Sequence, residues 1–131
     1  MSDDTIDLLD RLVQGTLRGR PNNELSQGLR RYMAGLRLRQ KEARELQPQI
    51  DEWAQKEATV AANIRRIRDP VHIAAATQVL DGHRQRLFDV RTALAAVELR
   101  KTQCIIQLEA LLLQAQSKES TKVHCSDGRS N

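Results

Sequence analysis

The chain has 131 residues, 40% of them hydrophobic, a formal net charge of +4 and three aromatic residues, Tyr32, Trp53 and Phe88. That length suits one domain, and so few aromatics argue against a compact globule and for helices held by aliphatic layers. No run approaches the roughly 18 apolar residues of a spanning helix, and the opening MSDDTIDLLD is acidic where a secretory signal is basic, so the expectation is a cytoplasmic protein that starts near Met1 with no membrane span.

Residues 3–18 place acids first and then Ile6, Leu9, Val13 and Leu17 at three-to-four spacing. This pattern predicts a short amphipathic helix with acids matched to its dipole, weakened by Gly15. Gly19-Arg20-Pro21-Asn22-Asn23 ends it, and either asparagine can cap the next helix.

From Leu25 the core positions run Leu25, Leu29, Tyr32, Leu36, Arg39, Ala43, Leu46, Ile50, Trp53, Glu57, Val60, Ile64 and Ile67, in steps that alternate four and three. An unbroken heptad of this length predicts a coiled coil. Pro48 falls on the position farthest from the stripe, which predicts a solvent-facing bend in one continuous helix, with a break into two helices as the alternative. Asp69-Pro70 ends this arm, because the residue before proline leaves the helical region while proline itself can open a helix. A second stripe follows through Ile73, Ala76, Leu80, His83, Leu87, Val90, Leu94, Val97, Lys101, Cys104, Leu108, Leu111 and Ala115. After Ser117 the polar, aperiodic tail 118–131 is expected to be disordered.

The fold expected is therefore all-α: a long antiparallel two-helix coiled-coil hairpin with a short N-terminal helix. Residues 1–20 hold the short helix and 21–117 the hairpin, with arms at about 24–67 and 71–117 and a turn at 68–70. Pairing residues whose numbers add to about 140 sets each first-arm core position opposite a second-arm one. Four polar misfits then fall into two layers, Glu57 with His83 and Arg39 with Lys101, which favours pairing within one chain over a parallel dimer. Glu57 and His83 can share a hydrogen bond that sets register, or a pH-sensitive contact. Arg39 and Lys101 repel, and must turn outward or meet an acid such as Glu42 or Glu98.

At the open end the apolar surface is wider than two helices need: Met33 and Leu38 on one arm, Ile105, Ile106, Leu112 and Leu113 on the other. Either the N-terminal helix or another subunit covers it, and the internal helix is the preferred reading. At the closed end Arg65, Arg66, Arg68 and His72 cluster about the turn, as a solvated tip or a docking site for an acidic protein surface. The oligomeric state is left open.

Catalytic motifs are absent, and no cofactor is implied: there is no glycine-rich phosphate loop, nucleophile elbow or metal-spaced cluster. His72, His83 and His124 fall far apart along the hairpin, and the His124-Cys125 pair lacks further ligands, so no metal site is expected. Cys104 and Cys125 sit in unlike settings and are expected to be reduced thiols.

A basic, aromatic-poor chain of two long helices with its turn at Arg65-Arg66-Ile67-Arg68-Asp69-Pro70 resembles the small stalk proteins of flagellar and type III secretion export machines. These in turn resemble the coiled-coil shaft of the rotary ATPase gamma subunit. The resemblance covers about residues 24–117, rests on heptads and arm lengths, and carries no diagnostic motif. It implies a protein inserted in a hexameric export ATPase and linked to the export gate. The chain adds to that pattern the helix at 3–18 and Pro48. Two other readings stand beside it. One is a helical adaptor or secretion-chaperone-like protein that binds through the apolar open end. The other is a nucleic-acid-associated protein using Arg18, Arg20, Arg30, Arg31, Arg37 and Arg39 on phosphates, although arginines dispersed among Glu and Gln argue against a nucleic-acid groove.

Overall fold

The computed structural model describes the backbone of residues 3–129 and the side chains of residues 3–117. Among the described residues the protein is all-helical and without strands: α1 (Asp3–Leu17), α2 (Glu24–Ile64) and α3 (Pro70–Arg129). The segment 118–131, expected to be a disordered tail, lies outside the residues whose side chains are described, and with it His124 and Cys125.

Local chemistry sets the helix ends. Asp3 and Asp4 occupy the first turn of α1, where the exposed N–H groups favour negative charge. Beyond Leu17 the chain turns through Gly19 at φ +70°, a left-handed conformation that glycine adopts without strain, and the Arg20 N–H donates to the Leu17 carbonyl at 3.2 Å. Asn23 caps α2 in a reciprocal box. The Ser26 N–H donates to Asn23 Oδ1 at 3.0 Å, and the Asn23 N–H donates to Ser26 Oγ at 2.9 Å. A cap of this kind is worth about 1 kcal/mol and fixes where the long helix begins.

The turn between α2 and α3 is longer than the expected 68–70. Helix α2 stops at Ile64, where two tight i to i+3 bonds, Arg66 N–H to the Asn63 carbonyl and Ile67 N–H to the Ile64 carbonyl, replace the helical ladder. Asp69 then opens α3: its Oδ1 accepts the Val71 N–H at 3.0 Å, with Pro70 at the first helical position. Pro48 lies inside α2, exposed, and the helix is continuous through it. In the turn that proline loosens, Gln49 Nε2 donates to the Glu45 carbonyl at 3.2 Å.

The contacts fall into two compact units, Met1–Gln40 with Arg100–Asn131, and Lys41–Leu99. In the first, three helices share one core. Ile6, Leu9 and Val13 of α1 pack with Leu25, Leu29, Met33 and Leu36 of α2 and with Ile105, Leu108 and Ala115 of α3. Each fully buried leucine, isoleucine or valine there contributes about 1.5–3 kcal/mol by leaving water. Small residues let α2 and α3 approach closely. A Cβ on Gly28 would lie 3.0 Å from Leu111 Cδ1, and one on Gly35 would lie 3.5 Å from Cys104 Sγ.

The second unit is thinner. Ala43 and Ile50 of α2 and Leu80, Leu87 and Val97 of α3 are buried. Leu46, Trp53, Val60, Ile64, Ile67, Ile73, Ala76, Val90 and Leu94 are half-buried, and the intervening positions are mostly exposed. Burial in this unit thus follows the two apolar stripes, with a sparser core because two helices bury only one stripe each.

Candidate functional site

Four arrangements of side chains have chemical content, and they occupy different places. The first joins α1 to α2. Arg37 reaches two turns of α1 at once: its Nη1 lies 2.9 Å from Asp7 Oδ1, and its Nε and Nη2 lie 3.1 and 2.8 Å from Asp10 Oδ2. Arg37 Nη1 also donates to Gln40 Oε1 at 2.9 Å, and the buried Gln40 amide passes its own N–H to Asp3 Oδ1 at 2.9 Å. The hydrogen bond to Asp10 leads the effects that raise the Arg37 pKa, so the guanidinium is firmly charged. Arg37 is therefore engaged as a clamp and not presented to phosphate, and Arg20 and Arg39 also have partners within the protein. Of the six arginines that a nucleic-acid contact would use, Arg37 thus has its guanidinium held by Asp7 and Asp10.

The second arrangement is the turn. Arg65, Arg66 and Arg68 are exposed there, and no carboxylate of the described residues pairs with them. His72 is 73% exposed, and its Nδ1 is 3.0 Å from Asp69 Oδ2. The turn thus gathers three solvated guanidinium groups beside one capped acid, a point of positive potential on a short stretch of chain.

The third arrangement surrounds Trp53. The structure places Glu57 and His83 in the same region but does not join them. Glu57 Oε1 accepts from Arg84 Nε at 3.2 Å, while His83 Nδ1 is buried with no hydrogen-bond partner among the described residues. The His83 ring instead packs against Trp53, centroids 5.5 Å apart and tilted by 58°. Lys56 Nζ sits 4.3 Å above the same indole, and the Arg86 guanidinium carbon lies 5.8 Å from it. The expected Glu57–His83 hydrogen bond gives way because Arg84, the next residue, offers the carboxylate a charged donor, while the His83 ring rests on Trp53. The other polar layer is resolved differently. Lys101 is only 4% exposed, so it does not turn outward, and both Lys101 and Arg39 have interactions within the protein.

The fourth arrangement is the widened apolar end. Of its six expected residues, Met33 and Ile105 are buried in the three-helix core and Leu112 packs against it, so the N-terminal helix covers this part. Leu38, Ile106 and Leu113 remain exposed at 51%, 56% and 64%. In covering the inner patch, α1 also carries a second apolar edge to the surface, Leu8 at 57% and Leu12 at 53% exposure. Between α1 and α3 lies an apolar groove of about 450 Å³ lined in part by Leu8, Leu12, Ile105, Leu112 and Leu113. Sequence reasoning passed over Leu8 and Leu12. Their one-turn spacing on the side of α1 away from Ile6, Leu9 and Val13 was the available signal.

Among the described residues no group of three or more His, Cys, Asp or Glu side chains is arranged to hold a metal ion, and no helix is long and apolar enough to cross a membrane. Cys104 is free and half-buried. Comparison with protein-family models, characterised proteins and solved structures yields no match to this chain. What the fold defines, over the described residues, is an all-helical protein.

Proposed function

We propose that the chain is a non-enzymatic, coiled-coil interaction protein of the cytoplasm. In this reading α2 and α3 form an antiparallel coiled-coil hairpin, and its basic turn docks to an acidic protein partner. The observation that carries the reading is the turn, where Arg65, Arg66 and Arg68 are exposed and, among the described residues, without ion-pair partners beside the capped start of α3. Support for the hairpin comes from contacts between α2 and α3: Trp53 against His83, Glu57 with Arg84, Gly28 beside Leu111 and Gly35 beside Cys104. In each pair the two residue numbers add to roughly 140, as an antiparallel register about this turn requires. Exposed arginines on a rigid support give fast, salt-sensitive capture of an acidic surface.

The fuller form of the reading is the stalk of a type III protein export ATPase, with the basic turn inserted in the hexamer and the other end directed to the export gate. The test titrates the purified export ATPase encoded in the same genome with the full chain and with Arg65, Arg66 and Arg68 all replaced by Ala. The stalk reading expects saturable binding by the native chain and at least tenfold weaker binding by the variant at equal helicity. No binding by the native chain contradicts the stalk, and equal binding by both contradicts docking through the turn. A second reading, an adaptor that binds through its apolar end, is favoured by the groove between α1 and α3, where Leu8, Leu12 and Leu113 are more than half exposed.

A further inference from the structure

We infer that the hollow beside the Arg37 clamp is a binding site for a small ligand that carries two or more phosphate groups. The inference stands apart from the basic turn and does not depend on its partner. The hollow has a volume of about 500 Å³, within the range of small-molecule sites, and is lined by residues of α1, by Arg18 just beyond its end and by Arg37 of α2. Its charges divide into a satisfied set and an open one. Asp7 and Asp10 are both held by Arg37, at 2.9 and 2.8 Å, and Gln14 Nε2 donates to Asp10 Oδ1 at 3.3 Å. Arg11 and Arg18 line the same hollow, are exposed, and have no ion-pair or hydrogen-bond partner among the described residues. Three arginines against two aspartates leave the lining net positive, and the excess rests on the two guanidinium groups that are not engaged.

The spacing of these two arginines selects the ligand. Arg18 follows Arg11 by two helical turns, roughly 10 Å along the axis, so one anionic group reaches both guanidinium groups only by drawing the two side chains together. Two adjoining phosphates give each guanidinium its own acceptor, and a phosphate takes two parallel N–H bonds from an arginine. Phosphate also carries more charge than a carboxylate, which matters in a hollow that already holds two aspartates. Gly15 lies between the arginines on the same lining, and a Cβ there would meet nothing within 4 Å, so the middle of the site is open.

The test is isothermal titration calorimetry of the full chain with inorganic pyrophosphate at about 0.1 M salt, and with succinate as a dicarboxylate of lower charge. The native chain is expected to bind one pyrophosphate with a Kd below about 1 mM, and succinate at least tenfold more weakly. Arg11→Gln and Arg18→Gln should each weaken pyrophosphate binding at least fivefold with unchanged far-UV circular dichroism, since both side chains are exposed and unpaired. Gly15→Leu removes no charge but fills the open middle, and should abolish binding at unchanged helicity. Replacement of Arg65, Arg66 and Arg68 by Ala should leave binding as it is. A native chain that takes up no pyrophosphate at about 10 mM overturns the proposal. So does binding that survives the two glutamine replacements together or Gly15→Leu, and binding that is lost with the arginines of the turn. Succinate bound as tightly as pyrophosphate overturns the assignment to phosphate.

Discussion

Arg37 on α2 holds Asp10 on α1 by two nitrogens on one carboxylate oxygen, Nε at 3.1 Å and Nη2 at 2.8 Å, and from the same guanidinium it reaches Asp7. The arrangement fixes α1 along the three-helix core at a point where the side chains are only partly covered. Hydrogen bonds to charged groups contribute about 1.5–3 kcal/mol when sheltered, and partial exposure brings this clamp down to about 1–2 kcal/mol. A double-mutant cycle of Arg37→Ala and Asp10→Asn, followed by urea unfolding, should return a coupling near 1 kcal/mol that shrinks in 1 M salt. Additive effects of the two replacements would show that α1 is held by its apolar face alone.

His83 is a polar misfit whose Nδ1 is buried and, among the described residues, unpartnered while the ring rests on Trp53. Removing both the polar atom and its desolvation should help the fold. We predict that His83→Leu raises stability by about 1–2 kcal/mol, read as a higher melting temperature, whereas Arg84→Ala, which breaks only the exposed pair with Glu57, costs less than about 1 kcal/mol. A drop in melting temperature for His83→Leu would mean that the imidazole makes a contact the apolar side chain cannot replace.

Pro48 withholds one N–H from a helix that continues past it, at an exposed position. Pro48→Ala should therefore stabilise the chain by about 1–3 kcal/mol, less than the full helix-interior penalty because the unfolded chain regains freedom too. Unfolding by urea gives the value; a loss of stability would show that the side chain or a bend at Pro48 is itself needed.

Glycines offer an internal control on packing. A methyl at Gly15 meets nothing within 4 Å, so Gly15→Ala should gain about 0.5–1 kcal/mol from helix propensity. At Gly28 the methyl meets Leu111 at 3.0 Å, so Gly28→Ala should show less gain than Gly15→Ala, and Gly28→Leu should destabilise. Equal gains at the two alanine sites would mean that α2 and α3 are not in close contact at Gly28.

Much of this architecture is legible in the residues because the apolar spacing is regular. The stripe from Ala43 to Ile67 and the one from Ile73 to Val97 coincide with the buried and half-buried positions, since a two-helix contact leaves only that face out of water. The inward face of α1 at Ile6, Leu9 and Val13 follows from the same logic. Polar partnerships do not have a period. Asp10 with Arg37 spans 27 residues, and Glu57 with Arg84 spans 27 as well; such pairs depend on which long side chain reaches the exposed edge first, which spacing within one helix does not encode. The turn at 65–69 runs longer than the sequence indicates because the proline marks where α3 starts, while the end of α2 is set by the weaker signal of Asn63 and its i to i+3 bond. Leu8 and Leu12 were missed because a helix with apolar residues on two sides dilutes its own period.

The most direct test of the antiparallel register is a single cysteine. A Cβ at position 35 lies 3.5 Å from Cys104 Sγ, within reach of disulfide geometry, so Gly35→Cys in a Cys125→Ser background has its partner already in place. Oxidised in dilute solution and analysed by mass spectrometry and non-reducing electrophoresis, this variant should give an intramolecular bond between positions 35 and 104, with a monomeric mass two hydrogens lighter. Bonds only between chains, or two free thiols after mild oxidation, would contradict the pairing of α2 with α3 on which the account rests.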